Sequence, residues 1–248
     1  MRKYSAYAKF FEITGQDMKI MSFNTQHCLN FLEQKIDFDI MADAIIKCEA
    51  DIVGLNEMRD GECPPEFDAQ CAILAQKSGL ENHYFAKALQ FKAGGYGNGL
   101  LSRYAIESVE TIHVPDPEVR GYDGYYEHRV LLKARLENGL TVMVIHFGLN
   151  PDEAELAVKT VVENLESKKC ILMGDFNVEP DNKVLLPIRE RMKDAAEFFS
   201  ESKLSFPSDK PRCKIDYIFV SPDVEVVSAD IPDIVASDHR PHTAEIRI

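Results

Sequence analysis

At 248 residues the chain is long enough to bury most of its apolar surface, and no Pro/Gly/Ser tract, repeat or low-complexity block divides it. Its 41 acidic against 28 basic residues leave a net charge of −13, which repels polyanions at long range and excludes a general nucleic-acid coat. No apolar stretch is long enough to span a membrane, and Lys9 and Glu12 interrupt what would be a signal-peptide core, so the cytosol is the expected compartment.

Met18 directly precedes the first apolar run, so residues 1–17 read as an N-terminal extension and 18–248 as a single domain. Ile20 to Phe23 predicts a strand ending at Asn24, followed by a loop through His27 and Asn30. Phe38, Met41, Ala44, Ile45 and Cys48 keep helical spacing near residues 38–49. A strand at 51–55 follows, and Glu57 opens the next loop. After Pro64 and Pro65, a stripe of Phe67, Cys71, Leu74, Ala75 and Ser78 predicts a second helix ended by Gly79. The glycine run 94–99 reads as a flexible turn into a strand at 100–102, because no helix follows it to make a phosphate cradle. A loop rich in Tyr, Asp and Gly (115–126) is the best candidate to face a substrate, and an alternating strand from Val130 to Leu136 comes after Arg129.

Val142 to Ile145 ends at His146, and the clearest helix then begins with Asn150 as N-cap, Pro151 in the first turn and two acids at the positive helix end. Cys170 to Met173 is a fully apolar strand that runs into Gly174, where Asp175 and Asn177 can face one site. A short helix near 183–191, an antiparallel run over 214–228 and a final strand at 243–248 complete the chain. The order predicts a mixed α/β protein with helices covering the outer faces of two packed sheets. The six cysteines form no Cys-x-x-Cys pair and read as buried, reduced thiols.

Four strands end in polar residues, and Asp216, Asp238 and His239 stand just inside or before later antiparallel strands. One sheet edge would then gather Asn24, Glu57, His146, Asp175, Asn177, Asp216, Asp238 and His239. Four carboxylates at one edge need a counter-charge, and oxygen ligands suit Mg²⁺, with Mn²⁺ as a substitute. Two histidines beside such a cation can move protons near neutral pH.

Together, Ile-Met-Ser-Phe-Asn24, Leu-Asn-Glu57, Gly97-Asn98-Gly-Leu-Leu-Ser-Arg103, His146, Gly-Asp175-Phe-Asn177, Ile-Asp216-Tyr and Ser-Asp238-His239-Arg-Pro resemble the endonuclease/exonuclease/phosphatase superfamily, the deoxyribonuclease I-like phosphoesterases. The resemblance implies a four-layer α-β-β-α sandwich of two mixed, mostly antiparallel sheets, and Mg²⁺-dependent hydrolysis of a phosphodiester or phosphomonoester. It implies Glu57 as principal metal ligand, with Asn24 and Asp238 beside it. Asp175 would orient or deprotonate the attacking water, Asn177 would hold a phosphoryl oxygen, and Asp216 would support His239. His146 matches a histidine of the deoxyribonuclease, sphingomyelinase and inositol-phosphatase branches, while Gln26 departs from the abasic-site endonucleases. Asn98 and Arg129 are the phosphate contacts the resemblance suggests. The expected substrate is a small-molecule or lipid-derived phosphate ester acted on by a monomer. A nuclease is the alternative, and a catalytically inactive binding module a more distant one.

Overall fold

A computed structural model of the chain describes residues 17–248, and two six-stranded sheets dominate it. The first sheet runs in the order β13 (Glu225–Asp230), β14 (His242–Arg247), β1 (Asp17–Asn24), β4 (Ile52–Gly61), β6 (Gly94–Ser102) and β5 (Asn82–Gln90). The second runs β11 (Lys193–Asp194), β12 (Asp216–Val220), β10 (Cys170–Asp175), β9 (Thr141–His146), β8 (Val130–Leu136) and β7 (Ile106–His113). Two short strands, β2 (Leu29–Asn30) and β3 (Lys35–Ile36), pair with each other. In each sheet one parallel pair sits at the centre, β1 with β4 and β9 with β10, and the remaining pairs are antiparallel.

Side-chain alternation along each strand sorts the apolar residues into three cores. Ile20, Ile52, Leu100, Val144, Met173 and Ile218 lie between the sheets. Met21, Phe23, Val53 and Leu55 point the other way, onto α1 (Phe38–Lys47) and α2 (Gln70–Ser78). Leu131, Ile145 and Leu172 pack on α3 (Pro151–Asn164) and the short α4 (Leu186–Arg189). This is the four-layer α-β-β-α sandwich. A central strand covered on both faces has no polar side, which is why Cys170–Met173 is uniformly apolar. The layers touch closely at Gly54, where a Cβ would stand 2.6 Å from the Met173 sulfur.

Several elements differ from the sequence-based expectations. Asp17 is the first residue of β1, opposite Arg247, while the rest of the expected extension, residues 1–16, lies outside the described residues. The glycine run is the interior of β6, hydrogen-bonded on both sides, because added side chains at Gly97 and Gly99 would strike the Ala86 carbonyl and the Cys71 sulfur. Phe67 precedes α2 rather than joining its stripe. The expected antiparallel run 214–228 splits, since β12 enters the second sheet and β13 crosses to the first. All six cysteines are free, but only Cys28, Cys71 and Cys170 are buried, while Cys48 and Cys213 are half-buried and Cys63 is exposed. No helix among the described residues is long and apolar enough to cross a membrane.

Candidate active site

Strand register brings the polar residues together. In the second sheet Asp175 pairs with His146 on one side and with Asp216 on the other. In the first sheet Asn24 pairs with Asn56 at the end of the parallel pair, and β14 starts with His242 opposite Ser22, which leaves Asp238 and His239 at the same end. The candidates therefore collect where the ends of two sheets meet, rather than along the single edge expected from sequence. Glu57 does not open a loop: it sits inside β4 at an irregularity between Leu55 and Met58, with φ at +61°. A bulge of this kind re-aims a side chain out of the normal alternation. Asn177 likewise has a positive φ of 50°.

Asp175 is at the centre. Its Oδ2 accepts from the Asn24 amide at 3.0 Å and lies 3.5 Å from His239 Nε2 and 3.6 Å from His146 Nε2, and its Oδ1 accepts from the Asn177 backbone at 2.9 Å. Asn24 donates from the same nitrogen to Glu57 Oε1 at 3.0 Å. His239 Nδ1 meets Asp216 Oδ2 at 2.8 Å, and the Phe206 ring packs against the imidazole. On the far side, Arg129 Nη1 lies 2.9 Å from His146 Nδ1 and 2.7 Å from Glu127 Oε2. Asn177 Nδ2 donates to the Phe147 carbonyl at 3.0 Å and lies 3.2 Å from His146 Nε2.

Burial sets the electrostatics. Asp175 is pushed up from the usual carboxylate range, mainly by loss of solvent and against the pull of His239. Burial alone would lower His239, but the carboxylates of Asp216, Asp175 and Asp238 outweigh it and raise the ring to about 10. His239 is therefore an imidazolium at neutral pH, held between two carboxylates. His146 is lowered well below the ordinary histidine range by burial and by the Arg129 charge, so its ring is neutral. A guanidinium only donates, so Nδ1 of that neutral ring accepts from Arg129 and the proton sits on Nε2, the nitrogen nearer Asp175 and Asn177. Glu57 is raised by burial and by the neighbouring charge of Asp238.

The donor set separates into two groups. Ligand atoms of Asp175, Asp216 and His239, all buried, lie within 4.8 Å of one another and could themselves hold a metal ion. Glu57 and Asp238 repel each other, with the Asn24 amide bonded to Glu57. The two carboxylates fit Mg²⁺ or Mn²⁺ and lack the sulfur and nitrogen donors of structural zinc, while Asn24 faces Glu57 through its amide nitrogen and its Oδ1 accepts from the Gln26 backbone at 3.0 Å. Asn98 is buried, its Oδ1 accepting from Asn56 at 2.8 Å and its Nδ2 donating to the Val130 carbonyl at 2.9 Å. Arg129 is in the site, facing His146. The 115–126 loop is tied to the first turn of α3, where Asp152 accepts from Tyr126 Oη at 2.8 Å and from the Gly121 backbone.

Sequence reasoning missed Asn56. Its Nδ2 donates to the Ile145 carbonyl at 3.0 Å and its Oδ1 accepts from the Asp175 backbone at 2.8 Å, so one side chain joins the first sheet to the second. Its position next to Glu57 at a strand end was the available signal. Glu127 and Tyr96 were also missed, the first paired with Arg129 and the second hydrogen-bonded by it.

The sequence profile of the Endonuclease/Exonuclease/phosphatase family matches residues 21–239, most of the chain. The protein named YbhP from Escherichia coli (strain K12) is 26% identical over 257 aligned positions, covering 93% of this chain and 96% of the relative. An endonuclease/exonuclease/phosphatase structure from Beutenbergia cavernae superposes with a TM-score of 0.73 at 20% identity, covering 94% of this chain and 72% of that one. The mannosyl-6-phosphatase of Bacteroides thetaiotaomicron superposes with a TM-score of 0.70 at 17% identity, covering 92% of this chain and 99% of that one.

Proposed function

The chain belongs to the endonuclease/exonuclease/phosphatase family, and from that premise we propose that it is a Mg²⁺-dependent hydrolase of a small or lipid-derived phosphate ester. The family supports phosphoesterase or nuclease activity as a class. The observation that carries the narrower reading is the Asp175 carboxylate, buried and ringed within 3.6 Å by Asn24, His239 and His146. The net charge of −13 favours small esters over polynucleotides.

In this reading Glu57 and Asp238 would hold the cation, with Asn24 hydrogen-bonded to Glu57 beside it, and the cation would offset charge on the phosphate oxygens. Asp175, kept basic by its raised proton affinity, orients a water and takes its proton. The His239 imidazolium, held by Asp216, supplies positive charge and a hydrogen bond to the phosphoryl group. Nε2–H of neutral His146 and the Asn177 amide supply further donors where negative charge develops. Arg129 fixes the His146 tautomer.

The test is turnover of a panel of phosphate mono- and diesters with Mg²⁺ or Mn²⁺, in the presence and absence of chelator. Hydrolysis of at least one ester, abolished by chelator, is expected. Glu57→Gln should weaken Mg²⁺ binding measured by titration calorimetry while leaving the melting temperature intact. Full activity in excess chelator would overturn the metal assignment.

A further inference from the structure

A cavity of about 970 Å³ opens directly beside Asn177, between the first two turns of α3 and the segment 178–187. Its walls include Ala154, Val158, Val178, Val184 and Ile215 beside the polar Asn150 and Asn182. Its charged lining is mostly acidic, with Glu155, Glu179 and Asp181 against Lys183 alone. Leu149, also part of the wall, is 60% exposed. The neighbouring Asn150 donates to the Tyr125 carbonyl at 3.0 Å, which places Leu149 next to a loop carrying exposed Val119, Tyr122 and Tyr125. Apolar side chains left open to water beside a site holding a buried carboxylate indicate a ligand that covers them.

We propose that this cavity is the subsite for the organic group of the phosphate ester, and that the group is apolar and uncharged. The proposal rests on the hydrolase reading given above and adds the substrate class. Asn177 belongs to both places, so a phosphorus beside Asp175 has its ester oxygen directed toward the cavity mouth. An apolar wall rewards burial of an apolar group at about 25 cal/mol per Å². The acids disfavour a second phosphate, so a nucleotide or other polyphosphate is a poor occupant. Tyr122 and Tyr125 would then flank the part of a longer group that emerges past Leu149.

Cys213 lines the same cavity and is partly accessible, while Cys63 is exposed just beyond the end of β4, so the protein carries its own reporter and control. Alkylation by N-ethylmaleimide, followed by peptide mass spectrometry, is measured with 1-naphthylphosphonate, inorganic phosphate or adenosine 5′-monophosphate present. The naphthyl compound is expected to slow labelling of Cys213 at least fivefold without affecting Cys63, and the other two to leave both unchanged. This binding test needs no turnover, so it separates failure of the cavity assignment from failure of the hydrolase reading. Equal protection by inorganic phosphate, or stronger protection by the nucleotide, overturns the proposal. Where matched methyl and 1-naphthyl esters are turned over, Val184→Trp should lower the naphthyl-to-methyl ratio of kcat/KM roughly tenfold, the scale set by one or two buried groups in an apolar pocket. An unchanged ratio would also overturn it.

Discussion

Both oxygens of the Asp175 carboxylate are engaged, Oδ1 by the Asn177 backbone and Oδ2 by Asn24 with two imidazoles close by. Replacing it with Asn keeps the shape but removes the proposed base. Asp175→Asn and His239→Ala should each lower kcat about 10²–10⁴-fold, and Asn177→Ala about 10²–10³-fold. The double variant Asp175→Asn/His239→Ala should lose less than the product of the singles, because the two groups act as one unit. Parent rates in all of them would make the cluster structural. His242 supports a different expectation. It is fully buried, its Nδ1 facing the Asp216 carbonyl and its Nε2 without a partner, and its proton affinity is lowered by burial and by Lys214. A lowered histidine contributes stability that is complete above its unfolded value and is lost as pH falls below it. His242 should therefore contribute a fall in unfolding free energy of up to about 1.4 kcal/mol per pH unit between pH 6.5 and pH 5, with His146 and His27 adding to it and the raised carboxylates of Asp175 and Glu57 acting in the opposite sense. His242→Phe should flatten this slope in denaturant titrations, and an unchanged slope would reassign it to other groups.

At the level of elements, capping made some boundaries readable. α3 begins with the expected Asn150, closed by a reciprocal capping box with Glu153, and Gly79 ends α2 in the left-handed conformation at φ +75°. Asp216, expected to join the edge at the start of an antiparallel strand, lies opposite Asp175. What stayed hidden depends on partners distant in sequence. Glycines that form a turn and glycines that let two strands and a helix approach have the same composition, so β6 could not be told from a hairpin loop. Likewise, nothing between Val220 and Glu225 says that the chain changes sheets, because either strand would bury its apolar face in the same central core. The site residues were legible as strand-end polar groups, whereas the bulge that turns Glu57 inward and the bridging use of Asn56 and Asn98 were not. Gly174 tests such crowding directly. Its φ is +148°, and a Cβ there would fall on the Ile145 carbonyl oxygen. Gly174→Ala should cost roughly 2–4 kcal/mol of unfolding free energy. A melting temperature equal to the parent's would mean that β9 and β10 can separate locally.

Across the whole molecule the excess of acids shapes encounter with any anion. Raising ionic strength from 0.01 to 0.1 M shortens the screening length from about 30 to about 10 Å. For a small anionic ester kcat/KM should therefore hold or rise, whereas binding dominated by phosphate neutralisation falls steeply with salt. A steep fall, with cleavage of oligonucleotides, would favour the nuclease alternative. The meeting of the two sheets has a wider consequence. Asn24 and Glu57 ride on one sheet, His146, Asp175 and Asp216 on the other, and Asn56 ties them at 2.8 and 3.0 Å. The methionine and aliphatic side chains between the sheets thus act as a spacer whose thickness sets the width of the candidate centre. A substitution deep in that filling, such as one at Met173 against Gly54, alters the gap many residues away from any chemistry. A core can therefore stay oily and well folded and still leave the candidate centre out of gauge.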